Sequence, residues 1–248
     1  MSRALISFVV TAHGFCHTDP VDPAPAPQTA RAIARRELTA AIVGRARRQL
    51  AEVGPAQLSV RQIARDLGMA SSAVYRYFPS RDELLTELLV TIYHELADRL
   101  ERADATVDPG DRPVRWRTLA RTFRDWARAA PHEYALLYGS PVPGYAAPQQ
   151  TVAPAARVTG VLIALAAAVD AAGVTPDRAL PAGAHQTLSG FRSTVGVDLS
   201  DEVVLRTVTA WGGLIGAVTL ELFGHLHRAV TDYDAHFELV IERLDPST

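Results

Sequence analysis

The sequence predicts an all-α protein whose amino-terminal part packs three helices into about fifty residues, ahead of a larger helical region. Apolar residues recur three and four positions apart along most of the chain, and no alternating strand pattern of useful length occurs. Glycine and proline interrupt this periodicity at intervals that suit helix ends. With 48% hydrophobic and 21% charged residues in 248, the chain is able to bury a sizeable core.

Residues 1–30 are expected to form a disordered arm. The segment TDPVDPAPAPQT at 18–29 alternates proline with small and polar residues, which favours an extended chain with nothing to bury. His13, Cys16 and His17 could ligate a metal, but they lie in this arm, so no metal site is predicted. The single cysteine excludes an internal disulfide, which favours a cytoplasmic protein.

The first helix begins near Arg31, and its apolar face is formed by Leu38, Ile42, Ala46 and Leu50. Gly54 and Pro55 end it.

Two short helices follow, joined by a glycine turn. Ser59 is placed to cap the first of them, Gly68 supplies the turn, and Val74 and Phe78 form the inner face of the second. Pro79 and Ser80 then start a longer helix from Arg81 to about Arg102. This arrangement is typical of a helix-turn-helix, whose second helix enters the major groove of DNA.

The outer face of that second helix suits DNA. Ser71, Ser72 and Ala73 are small enough for the backbone to approach base edges, while Tyr75, Tyr77 and Arg81 are able to reach phosphates. The distribution of charge also favours DNA binding by this segment. Residues 31–81 contain ten arginines and three acidic residues, whereas residues 82–248 contain fourteen arginines and twenty-two acidic residues. The alternative is that the tyrosines are packed aromatics and the arginines a solvated face.

The stretch LSVRQIARDLGMASSAVYRYFPSRDELL at 58–85 closely resembles the DNA-binding segment of TetR family transcriptional regulators. The resemblance implies a DNA-binding domain at residues 31–96, in which Ser59 and Tyr75 contact phosphates, Arg61 reaches a base, and Ser71, Ser72 and Arg76 face bases. Ala70 stands where the family often has a capping serine, so Ser71 is the alternative cap of the recognition helix.

Residues 97–248 resemble, more weakly, a TetR carboxy-terminal ligand-binding and dimerisation domain named for its Trp, His and Gly. Trp211 and Gly216 match this pattern, and Ile215 takes the histidine position. Aromatic side chains are numerous here, which favours a small cavity for a mostly apolar effector, with plain core packing as the alternative. The predicted lining residues are Phe123, Tyr134, Tyr138, Trp211 and Ile215.

Two further patterns concern helix surfaces. One side of a helix carries a stripe of arginines, at positions 117, 121, 124 and 128. We expect this side to be exposed to solvent and its arginines to pair with acidic residues. Glycines at 212, 213 and 216, in a helix predicted at about 201–223, indicate close approach of another helix. Together with a last helix at about 233–244 this predicts a homodimer interface, and packing within a monomer is the alternative.

No pattern indicates an enzyme or a cofactor, and the apolar runs at 158–169 and 208–223 are shorter than the roughly 20 residues of a membrane span. The prediction is therefore a cytoplasmic homodimeric repressor that binds a palindromic double-stranded DNA operator and is released by a small-molecule effector. The alternative is an all-helical small-molecule-binding protein or enzyme with a vestigial DNA-binding segment.

Overall fold

The computed structural model describes residues 29–173, 180, 181 and 183–248. Within them the chain is helical, as predicted, and no strand occurs among these residues. The predicted arm at 1–30 lies almost entirely outside the described residues. The helices are α1 (Ala30–Val53), α2 (Val60–Asp66), α3 (Ser71–Tyr75), α4 (Arg81–Asp104), α5 (Arg112–Ala129), α6 (Pro131–Tyr138), α7 (Val152–Ala171), α8 (Ala184–Val195), α9 (Asp201–Leu222) and α10 (Tyr233–Arg243).

The described residues divide into two compact units. The smaller unit contains the residues up to Leu89 and also Pro141–Ala147, and the larger contains Val90–Ser140 and the described residues from Pro148 onward. The sequence predicts residues 97–248 as one domain and so does not indicate that Pro141–Ala147 belongs to the smaller unit.

The smaller unit is built around the apolar faces of α1, α2, α3 and the start of α4. Ile42, Ala46, Ile63 and Val74 are completely buried, as the periodicity predicts. One buried polar group joins α1 to α2, because the Gln49 side-chain oxygen accepts a 2.7 Å hydrogen bond from the Ser59 backbone amide.

The larger unit packs α5, α7, α8 and α10 around α9. Trp116 on α5 is buried and donates a 2.7 Å hydrogen bond from its indole nitrogen to the Ile241 carbonyl on α10. Gln149–Ala171 and α9 are long and apolar enough to cross a membrane, a property that core helices of globular proteins share. Each of these helices has a buried face in the larger unit, with α7 burying Val158, Leu165 and Val169.

Candidate nucleic-acid interface and effector site

Helix α2 is fixed at its start by Ser59. The Ser59 hydroxyl oxygen accepts a 3.3 Å hydrogen bond from the Gln62 amide, so the predicted cap is confirmed. Arg61, two residues later, is exposed, and no ion pair occupies its guanidinium among the described residues. Arg61 is therefore available to a ligand at the surface.

The turn between α2 and α3 depends on Gly68, whose φ of 65° is the left-handed conformation that favours glycine. The backbone amide of Met69 donates a 2.8 Å hydrogen bond to the Ala64 carbonyl. Helix α3 then begins with Ala70 as its N-cap residue, and no side chain caps it. The prediction that Ser71 replaces the missing cap is therefore wrong, which leaves the Ser71 hydroxyl free of that function.

The two faces of α3 differ as predicted. Val74 is completely buried and Phe78 is 6% exposed, whereas Ser72, Tyr75 and Arg76 are exposed. Ser71 is half-buried. The hydroxyls, one tyrosine and one arginine thus lie on the solvent side of a short helix held by its apolar face.

Tyr77 lies just beyond α3 and is half-buried. The guanidinium carbon of Arg35, on α1, lies 5.1 Å from the Tyr77 ring centroid, a cation–π contact. Helix α1 therefore touches the end of the recognition segment.

Arg81 has a structural contact that the sequence did not indicate. Its guanidinium donates hydrogen bonds of 2.8 and 3.1 Å to the carbonyls of Pro55 and Ala56, in the one-turn 3-10 helix Pro55–Gln57 that follows α1. The side chain retains 30% exposure. Arg81 thus ties the beginning of α4 to the joint between α1 and α2, and its phosphate contact stays a prediction.

The basic charge of this unit is only partly available at the surface. Arg45 forms ion pairs with Asp66, at 2.7 Å, and with Glu52, at 3.1 Å, and its side chain is only 14% exposed. Its pKa is raised, first by the hydrogen bond to Glu52. Arg61 and Arg76, by contrast, are exposed and carry their charge without an acidic partner in the described part of the chain.

In the larger unit, the predicted effector residues form one aromatic cluster. The Phe123 ring centroid lies 6.0 Å from that of Tyr134, 5.5 Å from that of Tyr138 and 5.0 Å from that of Trp211. Trp126, which the sequence analysis left out of the cluster, lies 6.2 Å from Tyr134. The five rings meet edge to face or tilted, which is how aromatic side chains pack favourably.

The two tyrosines of this cluster differ in their hydroxyls. The Tyr134 hydroxyl donates to the Ile215 carbonyl at 2.9 Å and also contacts the Thr219 hydroxyl at 2.6 Å. Ile215 therefore meets the cluster through its backbone carbonyl. Burial raises the pKa of Tyr138 well above its ordinary value, and its hydroxyl has no hydrogen-bond partner among the described residues. The Tyr138 hydroxyl therefore has an unused donor.

A polar cleft of about 310 Å³ opens beside Trp126. The acidic side chains of Glu95, Asp98 and Glu133 and the basic side chains of Arg99 and Arg102 line it, together with Trp126, Ala129 and Ala130. Within the described residues, no group of three metal-ligating side chains occurs. The possible ligands His13, Cys16 and His17 lie outside the described residues.

Three of the four arginines of the stripe on α5, Arg121, Arg124 and Arg128, are paired with acids, as predicted, but the stripe is not uniformly solvated. Arg121 is an exposed partner of Glu238 at 2.6 Å. Arg124 is 6% exposed and bonds Glu221 at 2.8 and 2.9 Å, and it also pairs with Asp234 at 2.8 Å. The expectation of a solvated face is therefore wrong at Arg124, because α9 and α10 supply carboxylates that enclose it.

The outer side of α9 and α10 is unusually apolar for a surface. It exposes Leu205, Val208, Leu220, Phe223 and Leu239, the last of them to 67%. Gly213 packs within the chain, since an added Cβ would lie 2.6 Å from a Leu244 methyl carbon. Gly212 and Gly216 face open space. Two of the three glycines are therefore free to meet another molecule.

Comparison with known proteins identifies the family. Residues 42–88 match the model of bacterial regulatory proteins of the tetR family, and residues 116–244 match the Tetracyclin repressor-like, C-terminal domain. An HTH-type transcriptional regulator of Mycobacterium tuberculosis is 46% identical over 197 residues, which span 77% of this chain and 83% of the relative. Its counterpart in Mycobacterium bovis matches equally.

Solved structures agree. A regulatory protein of known crystal structure is 32% identical in sequence to this chain and superimposes on it with a TM-score of 0.74. The match covers 87% of this chain and 98% of that protein. A protein of unknown function from Rhodococcus shares the fold, with a TM-score of 0.64, 23% identity and coverage of 84% and 93%. The capped α2, the glycine turn and the outward hydroxyls of α3 thus occur in a chain that belongs to the TetR family of transcriptional regulators, which act by binding DNA and not as enzymes.

Proposed function

We propose that this regulator is a cytoplasmic homodimeric repressor that binds a palindromic DNA operator and is released from it by a small, mostly apolar effector. In this proposal residues 31–96 form the DNA-binding domain and residues 97–248 the ligand-binding and dimerisation domain. The observation that carries it is the outer face of α3, where Ser72 and Arg76 are exposed while Val74 anchors the helix in the core.

The DNA contacts divide into two kinds. Ser71, Ser72 and Arg76 are proposed to meet base edges, since they lie on α3 or at its end, and the second helix of a helix-turn-helix enters the major groove. Arg61, on α2, is proposed to reach a base at the edge of the groove. Ser59, Tyr75, Tyr77 and Arg81 are proposed to meet phosphates, which position the protein without reading sequence.

The proposed effector binds at the aromatic cluster of Phe123, Trp126, Tyr134, Tyr138 and Trp211. The aromatic side chains of the cluster favour an apolar ligand, and the Tyr138 hydroxyl offers it one hydrogen bond. Release from DNA requires the effector to favour the DNA-incompetent conformation, and a shift from mostly bound to mostly free requires a differential affinity of about 5.5 kcal/mol.

The proposed dimer uses the apolar surface of α9 and α10. Leu205, Val208 and Leu220 lie three and twelve residues apart and so share one side of α9, next to the open glycines at 212 and 216. The exposed Phe223 follows directly after the helix. Small residues let two helices approach closely, which suits a helical interface between identical subunits. A palindromic operator follows, because a two-fold symmetric dimer reads two equivalent half-sites.

The decisive test is salt-dependent binding to the DNA upstream of the protein's own coding sequence. Affinity that falls as salt rises is expected, and no binding to any duplex at low salt would overturn the repressor assignment. Arg61→Ala should cost about 1–3 kcal/mol and relax the preference at one base pair, whereas Arg81→Ala should weaken all sequences alike. Identical behaviour of the two variants across altered operators would contradict this division.

The effector is tested by thermal shift against hydrophobic, cationic and anionic compounds, with each hit then assayed for release of DNA. Stabilisation by hydrophobic compounds that also release DNA is expected. Stabilisation only by charged compounds would assign binding to the polar cleft beside Trp126 and overturn the apolar effector.

A further inference from the structure

The first two turns of α1 bury no side chain. Every residue at 30–37 is exposed, and the first buried residue of the helix is Ile42. In proteins, most helical stability comes from packing of an apolar face, so this part of α1 gains little from the fold. It carries Arg31, Arg35 and Arg36 against the single acid Glu37.

Two of these arginines lie on one side of the helix. Arg31 and Arg35 are four residues apart, so their side chains are neighbours about 6 Å apart along the axis. Neither forms an ion pair with an acid of the described residues, in contrast to Arg45 further along the same helix. This exposed pair, Arg31 and Arg35, is called the α1 arginine pair below.

The α1 arginine pair lies next to the recognition segment. The Arg35 guanidinium carbon is 5.1 Å from the Tyr77 ring centroid, and Tyr77 is two residues beyond the end of α3. A cation–π contact holds a guanidinium over the ring while leaving its N–H groups able to donate elsewhere. Any polyanion that touches Tyr77 therefore also comes within reach of Arg35.

We propose that the α1 arginine pair binds phosphates of the DNA backbone beside those contacted by Tyr77, so that α1 adds a DNA contact to those proposed for α2, α3 and the start of α4. This inference rests on the proposed function, because it requires a duplex on α3. Arginine presents donors in a fork that matches a phosphate, and such contacts add affinity without reading sequence. The pair thus extends the bound length of duplex and does not alter the recognised bases.

The test compares Arg31→Gln/Arg35→Gln with wild type, using a duplex that the wild-type protein selects from a random library. Glutamine retains high helix propensity, so the helix is kept while two charges are lost. The matched control is Arg112→Gln/Arg117→Gln, which removes the same charge from α5 in the larger unit. Each phosphate contact contributes about 0.9 to the slope of log affinity against log salt, so the α1 variant should lose about 1.8 from that slope per subunit and the control none.

Two further measurements separate phosphate binding from a structural function of the pair. Arg31→Lys/Arg35→Lys retains both charges and should keep most of the salt slope, since lysine also binds phosphate as a point charge. Hydroxyl-radical footprints should shorten at the flanks with the glutamine variant, while the selected base sequence stays the same.

The outcomes distinguish the two claims. If wild type binds its selected duplex and the glutamine variant keeps the slope and footprint of the control, the inference is overturned and the proposed function stands. If the lysine variant loses as much slope as the glutamine variant, the pair acts through its contact with Tyr77 and the inference is also overturned. If wild type selects no duplex, the proposed function itself fails.

Discussion

Replacing Arg124 by methionine should destabilise the larger unit far more than the same replacement of the exposed Arg121 on the same helix. Arg124 is 6% exposed, bonds both carboxylate oxygens of Glu221, and lies 4.6 Å from the Phe237 ring centroid. Methionine fills a similar volume but leaves Glu221, whose side chain is 14% exposed, without its main partner. An enclosed carboxylate without a partner is costly because it has lost most of its hydration.

The expected cost follows from these contacts. Breaking a buried ion pair by removing one partner costs about 3–5 kcal/mol, and the lower end applies here because Arg128 remains 3.8 Å from Glu221. The contact with Asp234 adds little, because that side chain is 74% exposed. A loss of about 3 kcal/mol corresponds to a fall in melting temperature of about 6–12 °C for a chain of this size.

Tryptophan fluorescence during urea unfolding is the appropriate assay. All three tryptophans, Trp116, Trp126 and Trp211, lie in the larger unit, so their signal follows that unit alone. The matched control is Arg121→Met, one turn earlier, whose exposed pair with Glu238 should contribute at most about 1 kcal/mol.

The double variant Arg124→Met/Glu221→Leu should recover most of the lost stability, because it removes both charges and leaves apolar side chains in their place. Equal losses for Arg124→Met and Arg121→Met would refute the reasoning. So would a double variant no more stable than Arg124→Met.

Three further predictions concern a helix cap, two glycines and acid stability. Ser59→Ala should destabilise the smaller unit by about 1 kcal/mol through loss of the α2 cap, and the exposed Ser72→Ala should not; equal melting by circular dichroism would contradict this. Gly213→Leu should destabilise the monomer by about 1–3 kcal/mol, because the new side chain clashes inside the fold. Gly216→Leu should instead leave the monomer intact and disrupt the dimer. A dimer mass that light scattering finds unchanged for Gly216→Leu would show that Gly216 lies outside the interface. The hydrogen bond from Arg124 lowers the pKa of Asp234, so its contribution to stability is present above the unfolded pKa of about 4 and is lost as the pH falls through the lower folded pKa. Asp234→Asn should therefore flatten part of the acid-induced loss seen by tryptophan fluorescence, and an unaltered pH profile would count against this ion pair.

The smaller unit was predictable from the sequence wherever local chemistry decides the structure. Ser59 and Ser80 each cap the helix that follows, and Val74 and Phe78 turn inward, because these features depend on residues only a few positions apart. The missing cap on α3 shows the opposite case. A serine beside the cap position suggested a substitute, but Ala70 already has the backbone conformation of the cap.

The interactions that the sequence did not predict join residues distant along the chain. Arg124 meets Glu221 and Asp234 from about a hundred positions away, and Arg81 bonds two carbonyls of the one-turn helix that follows α1. Helical periodicity indicates which side of a helix a residue occupies, but it does not say which carboxylate another helix brings to that side. Trp126 contacts Phe123 on its own helix, but its contacts with Tyr134 and Tyr138 depend on how α6 packs against α5, which periodicity does not predict.

Residues Pro141–Ala147 leave α6, the helix of Tyr134 and Tyr138, and join the smaller unit within a few positions. There the Tyr145 hydroxyl lies 2.8 Å from the hydroxyl of Thr86 on α4, and Thr86 is 3% exposed. This hydrogen bond fixes the loop that follows α6 to the first two turns of α4, within the smaller unit. Gly144, whose φ of 76° is the left-handed conformation that favours glycine, directly precedes Tyr145, so the turn that presents this hydroxyl to Thr86 depends on a residue without a side chain.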